Sequence, residues 1–184
     1  MTKLYFLRHG QSQANLDGVH ATPESPLTDL GRHQALAAAQ KVAVLNIATI
    51  ISSDLPRALE TAEILAQSLG LSKAQVIHEP RLREVGVGNL AGTPDHNIAA
   101  YLAHQADPQG DTTVESLAAA TSRLKSFIIS FKDYHDGNVL LVGHSGSGRL
   151  LRALLSGDTG NIANSPNLTN AEPFELPVNQ GNGR

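Results

Sequence analysis

Short apolar runs, each closed by polar or glycine-rich residues, alternate along this chain with longer stretches of helical period. Runs at residues 3–7, 48–52, 75–78, 138–142 and 174–178 predict strands. The nearly continuous apolar character of the first and fourth argues for strands buried on both faces. Between them lie helical patterns. A short helix is expected after Gly10. Thr28 is a plausible N-cap for a helix reaching Val44, and Pro56 suits a first helical turn. Ala58, Ala62, Leu65 and Leu69 then form an apolar stripe ending at Gly70. Further helices are expected over 94–106, over 113–132 and from the Gly143-His144 region to about Leu155. Residues 17–26, 80–95 and 156–172 read as loops, the first long enough to reach over a site at the strand ends. Strand alternating with helix implies an α/β fold: a three-layer α/β/α sandwich around a mostly parallel sheet. One domain over 1–178 and a flexible polar tail over 179–184 are expected, with no internal repeat.

Composition narrows the function classes. A chain of 184 residues with 41% hydrophobic and 17% charged residues is an ordinary globular sequence. A net charge of -3 supplies no basic field for nucleic acid or a membrane surface, and 4% aromatic residues is poor material for base stacking. There is no cysteine, which rules out disulfides and thiolate metal sites. The first strand begins near residue 3, without a charged leader and apolar segment, and no run approaches a membrane span. A cytoplasmic protein is expected.

The chemistry concentrates at strand ends, where open α/β sheets bind ligands. Arg8-His9-Gly10 follows the first strand, and Val142-Gly143-His144-Ser145-Gly146 closes the fourth. Ser53-Asp54-Leu55-Pro56-Arg57 leads from the second strand into a helix. Leu82-Arg83-Glu84, followed by Gly86, Gly88, Leu90 and Gly92, puts a carboxylate in a Gly-rich loop. Two histidines, two arginines and one carboxylate are what phosphoryl transfer through a histidine needs. One neutral imidazole attacks phosphorus, fixed donors surround the spreading charge, and one carboxylate moves a proton.

With these motifs the chain resembles the histidine phosphatase superfamily, in its phosphoglycerate-mutase-like branch. The resemblance runs in the family's order from about Leu4 to about Leu176. It includes Ser12 and Asn15, Leu27-Thr28-Asp29-Leu30-Gly31-Arg32, Gln34-Ala35, and Glu115-Ser116 with Arg123. It implies a phosphoglycerate-mutase-like fold and a phosphomonoesterase that needs no cofactor and no metal. His9 would be the nucleophile, its other nitrogen held by a backbone carbonyl. Arg8, Arg57 and His144 would bind the phosphate, His144 as a charged donor if protonated. Glu84 would be the general acid and base, and Asn15 would lie near the phosphate. Each residue also has a plainer reading. His9 could cap a strand end, Arg57 could pair with Glu60 or Glu63, Glu84 could bridge to Arg81 or Arg83, and Asn15 could cap a helix.

The expected partner is a small phosphorylated substrate, with no nucleic acid or membrane; the oligomeric state stays open. Between Arg83 and Arg123 there is no lysine or arginine, while Asp95, Asp107 and Asp111 fall in the segment expected to cap the pocket. The mutase branch carries a lysine where this chain has Asp95, and an arginine pair absent here. Water is therefore favoured over a second phosphoglycerate as phosphoryl acceptor, although Leu90 looks mutase-like. His96, Tyr101 and His104 are candidate contacts to the organic part of a substrate. The alternatives are a phosphoglycerate mutase and a non-catalytic module that binds phosphorylated ligands. A serine hydrolase built on Ser145 fails because no histidine follows it in the chain. A metal site of His9, Glu84 and His144 is disfavoured by two arginines aimed at the same point.

Overall fold

The computed structural model describes residues 2–72, 75–95, 113–131, 137–159 and 166–177. Five strands form one sheet: β1 (Leu4–Arg8), β2 (Ile47–Ser52), β3 (Val76–His78), β4 (Asn138–Gly143) and β5 (Pro173–Glu175). Their spatial order is β3-β2-β4-β1-β5. Every pairing is parallel except that of β5, which runs antiparallel to β1 at the edge. The predicted α/β class and mostly parallel sheet are as observed.

Two-residue periodicity sorts the strand side chains into two cores. Tyr5, Leu7, Ile50, Leu140 and Val142 point to one face, where they meet α2 (Asp29–Ala43) and α3 (Pro56–Ser68) through Ala38, Val42, Ala58, Ala62 and Leu65. Leu4, Phe6, Ile51, Val139 and Leu141 point to the other. There they meet α4 (Leu117–Phe131) and α5 (Ser145–Ser156) through Ala120, Leu124, Phe127, Leu150 and Leu151. Small alanines on α2 and α3 let both helices lie close to the sheet. Burying each Leu, Ile or Phe stabilises the fold by about 1.5–3 kcal/mol before entropy is counted.

Local signals set the helix starts. Ser12 caps α1 (Gln13–Asp17) in a capping box closed by Asn15. The Thr28 hydroxyl accepts from the Gly31 N–H at the start of α2. The fourth helix starts at Leu117, later than the predicted 113. The preceding residues are tied to the Gly-rich loop: Glu115 N–H donates to the Gly86 carbonyl, and Gly86 N–H to the Glu115 carboxylate. Ser116 then caps the helix by accepting from the Ala119 N–H. The last strand is shorter than the predicted 174–178. Within the predicted loop at 80–95 lie two 3-10 turns, Pro80–Leu82 and Gly88–Leu90. Most of the predicted 94–106 helix and the 179–184 tail fall outside the described residues, as do His96, Tyr101, His104, Asp107 and Asp111.

Candidate active site

Parallel pairing brings the carboxyl ends of β1, β4 and β2 side by side. The ladder continues one residue past the strands: His9 N–H donates to the Gly143 carbonyl and Ser53 N–H to the Val142 carbonyl, both at 2.9 Å. His9, Ser53 and His144 are thereby fixed at one sheet edge. Gly10 presses backbone to backbone against Gly31 at the start of α2, where no Cβ would fit. Thr61, one turn after Arg57 on α3, locks this segment. It accepts from the Gly10 N–H at 3.1 Å and donates to the Arg57 carbonyl at 2.7 Å.

His9 Nδ1 lies 2.6 Å from the Gly10 carbonyl oxygen. A carbonyl only accepts, so Nδ1 carries the hydrogen and Nε2 keeps its lone pair. This is the backbone bond expected for a nucleophilic imidazole. Burial, then the charge of Arg57, holds the ring's pKa well below the usual histidine value; the Gly10 bond opposes them and Arg8 adds to them. The His144 ring stands edge-on to His9, 5.1 Å between centroids. It is fully buried, its Nε2 is 2.9 Å from the Ser53 hydroxyl, and its Nδ1 has no hydrogen-bond partner. Burial, then Arg57, His9, Arg8 and Arg123, pushes its pKa well below the ordinary value. With no anion bound, burial and the neighbouring cations disfavour a charged His144 ring.

Arg8 donates from Nη1 to the Leu168 carbonyl at 2.6 Å, and Arg57 from Nη1 to the Thr22 and Pro23 carbonyls at 3.0 and 3.4 Å. The Nε of each is buried without a hydrogen-bond partner. Burial pulls both guanidinium pKa values down, with Glu84 opposing. Two crowded, desolvated cations beside two buried imidazoles that resist protonation make a pocket suited to an anion. Arg57 does not pair with Glu60, which binds Arg32 instead.

Glu84 sits at the amino end of α5. Its Oε1 accepts from the Val85 and Ser147 N–H groups at 2.9 and 2.8 Å, and its Oε2 from the Gly146 N–H at 3.0 Å. A Cβ on residue 146 would lie 2.6 Å from Glu84 Oε1, so Gly146 makes room for the carboxylate. The neighbouring arginines are engaged elsewhere: Arg81 with Glu79, and Arg83 in a two-pronged pair with Asp54 that holds the Asp54 pKa low. Asn15 is a helix-capping residue beside the cavity: its Oδ1 caps α1 through the Ser12 N–H, and the residue also lines the cavity.

These groups surround a cavity of about 510 Å³ lined by Arg8, His9, Asn15, Arg57 and Glu84. His144 stands behind this wall. The predicted 17–26 loop does reach over the site. Val19 pairs with Pro94, and backbone bonds join Gly18, His20, Gly92, Thr93 and Asp95, so two loops form a short ribbon at the cavity mouth. Among the described residues no group of three histidine, aspartate or glutamate side chains could hold a metal ion.

Two residues at or beside the cavity escaped the sequence reading. Arg149 lines the cavity from α5, one turn beyond Ser145, so counting cations only between Arg83 and Arg123 understated the basic character of the pocket. The four-residue spacing from Ser145 is the signal for it. Asn170 donates to the His9 carbonyl at 2.8 Å, and Nδ2 lies 3.4 Å from Asn15 Oδ1. No local pattern announces Asn170; it arrives through the return of the chain into β5.

Residues 4–183 match the family model of the histidine phosphatase superfamily, branch 1. The chain belongs to that superfamily. It is a histidine-dependent phosphatase by family and by fold. It is 34% identical over 166 residues to a probable phosphoglycerate mutase, GpmB, of Cronobacter sakazakii, a match covering 78% of this chain and 70% of that relative. Against the similarly named protein of Photorhabdus laumondii it is 44% identical over 91 residues, covering 49% of this chain and 41% of that one. Among solved structures it resembles a mycobacterial glucosyl-3-phosphoglycerate phosphatase, with a TM-score of 0.80 and 30% identity over 95% of this chain and 92% of the other. The alpha-ribazole phosphatase of Shigella flexneri gives a TM-score of 0.82 at 27% identity, covering 97% and 92%. No helix among the described residues is long and apolar enough to cross a membrane.

Proposed function

We propose that this histidine phosphatase hydrolyses the phosphomonoester of a small metabolite through a phosphohistidine on His9. The carrying observation is the His9 Nδ1 bond to the Gly10 carbonyl, which leaves Nε2 as the basic nitrogen beside the arginine-lined cavity. The phosphoryl oxygens take the remaining donors of Arg8 and Arg57 and the Nδ1 side of His144, with Asn15 nearby. His9 Nε2 forms the bond to phosphorus as the ester oxygen leaves. A carboxyl group offers about four lone-pair positions. Backbone N–H groups occupy two on Glu84 Oε1 and one on Oε2, so the remaining position on Oε2 is the one open to a proton in transit. Glu84 gives that proton to the leaving alcohol. It then takes one from the water that cleaves phosphohistidine, restoring both residues and releasing phosphate. No cofactor enters this scheme. A cytoplasmic setting, where small phosphorylated metabolites are made, is part of the proposal, and fractionation of tagged protein checks it.

Phosphoglycerate mutation is the second reading. The names of the sequence relatives favour it, and so does Arg149, a cation placed where a substrate carboxylate could reach. Hydrolysis is preferred because Arg8, Arg57, Arg83 and Arg149 are offset along the lining by Glu84 and Asp95, and Arg83 is already paired with Asp54.

Two assays on the purified protein without added metal test this. One is hydrolysis of p-nitrophenyl phosphate. The other is interconversion of 3- and 2-phosphoglycerate with a bisphosphoglycerate primer. Hydrolysis without mutase turnover is expected, with an acid-labile, base-stable phosphoenzyme accumulating in Glu84→Gln. Strong mutase turnover would replace hydrolysis by the second reading, and neither activity would leave a ligand-binding module.

A further inference from the structure

Ser53 touches the site through a bond that none of the steps above uses. It follows β2, is fully buried, and places its Oγ 2.9 Å from His144 Nε2. The Leu55 backbone N–H donates to the same oxygen at 3.3 Å. A hydroxyl has one hydrogen and two lone pairs. If Nε2–H donated to Ser53, both lone pairs would be filled and the hydroxyl hydrogen would have no acceptor. A buried donor left so costs about 1–3 kcal/mol. Donation from Ser53 to Nε2 satisfies the serine and leaves only the Nδ1 hydrogen without an acceptor, whereas the reverse leaves both the hydroxyl hydrogen and Nδ1 unpaired. A neutral imidazole accepting at Nε2 carries its hydrogen on Nδ1, the buried nitrogen that has no partner in the resting site.

We propose that Ser53 is a positioning residue that fixes His144 as the neutral Nδ1–H tautomer, presenting an uncharged N–H to the phosphoryl group. The part about the phosphoryl group rests on the phosphatase reading above; the tautomer does not. The groups acting on His144 from the surrounding elements are Arg57 on α3, Arg8 and His9 at β1, and Arg123 on α4. Three guanidinium groups and one imidazole make a second proton on the ring unfavourable; the carboxylate of the site, Glu84, is engaged by the Gly146 and Ser147 N–H groups. A neutral donor aligned in advance needs no proton uptake when substrate arrives, so it is ready at every pH at which His9 is ready.

Histidine tautomers are read directly by long-range proton–nitrogen correlation on protein labelled with nitrogen-15 at histidine. The resting protein and its complex with vanadate, a mimic of five-coordinate phosphorus, are compared between pH 6 and 8. His144 is expected to show a protonated Nδ1 and a bare Nε2 throughout. In Ser53→Ala the signal should move toward Nε2–H or a mixture. Its kcat on p-nitrophenyl phosphate should fall about tenfold with KM little changed, and Ser53→Thr, which keeps the hydroxyl, should recover part of both. A wild-type His144 protonated at Nε2, or at both nitrogens, would overturn the tautomer. An unchanged spectrum and kcat in Ser53→Ala would overturn the role of Ser53. The resting spectrum needs no turnover, so an inactive wild type would sink the phosphatase reading without touching the tautomer test.

Discussion

Strands β1 and β4 run side by side in register, Leu4 to Arg8 against Val139 to Gly143, and each delivers a histidine just past its carboxyl end. Both rings are buried, and both have pKa values pushed well below the ordinary one by burial and by Arg57. They differ in what holds them. His9 gives its Nδ1 hydrogen to a backbone carbonyl and turns a lone pair to the cavity it lines. His144 is the N-cap residue of α5, is held at Nε2 by a serine hydroxyl, and has its other nitrogen unbonded. On the proposed mechanism, the same residue type at equivalent strand tips attacks in one place and donates in the other. The one hydrogen bond that holds each ring makes the distinction.

Removing each ring breaks the comparison most sharply. On the proposed mechanism His9→Ala loses the nucleophile, and kcat on p-nitrophenyl phosphate should fall by at least about 10⁴-fold with no phosphoenzyme formed. His144→Ala loses one donor to the developing charge and should cost about 10²–10³-fold, with phosphoenzyme still detectable. Equal losses in steady-state kinetics would erase the difference in role. A third probe lies between the two tips. Gly146→Ala pushes a methyl group against Glu84 Oε1, so the carboxylate must shift. A loss of about 10–100-fold in kcat is expected from the misplaced acid, with rapid phosphoenzyme formation preserved for a good leaving group such as p-nitrophenol. Wild-type turnover in Gly146→Ala would show that Glu84 works from another position.

What could be read from the residues follows how local the signal is. The alternation of Tyr5 and Leu7 against Leu4 and Phe6 announces a strand covered on both faces, and Thr28 and Pro56 mark helix starts that the structure keeps within a residue or two. Arg8, His9 and His144 are legible because a strand end needs no distant partner to become a site. Glu84 was found by type, but its bonds to the Gly146 and Ser147 N–H groups join residues far apart in the chain. Ser53 was visible only as a neighbour of Arg57, because its bond to His144 exists only once β2 lies beside β4. Arg149 was missed because attention rested on the cap segment, while the cavity also draws on the helix behind it. The later start of α4 was hidden for a similar reason: Glu115 is held by Gly86 and Arg123, and the tether outweighs helical propensity.

The smallest expected effect concerns stability, where the two histidines should behave alike. Unfolded histidine titrates near about pH 6.5. Both rings resist protonation in the fold, so below that pH the unfolded chain binds more protons than the folded one. Stability is therefore undiminished by these groups above pH 6.5 and falls as the pH drops through it toward the lower folded values. Each histidine contributes a slope of up to about 1.4 kcal/mol per pH unit, roughly 2.7 for the pair. Urea denaturation in small steps from pH 6.5 to 5 stays above the range where Asp54, Glu79 and Glu115, whose pKa values are lowered by their arginine partners, lose charge. His9→Gln and His144→Gln should each remove about half of the slope, whatever they do to its absolute level. If His144→Gln left the slope intact, His144 would take up protons in the fold as readily as outside it. The neutral ring on which its half of the comparison depends would then be wrong, while the His9 half, carried by the Gly10 carbonyl, would stand.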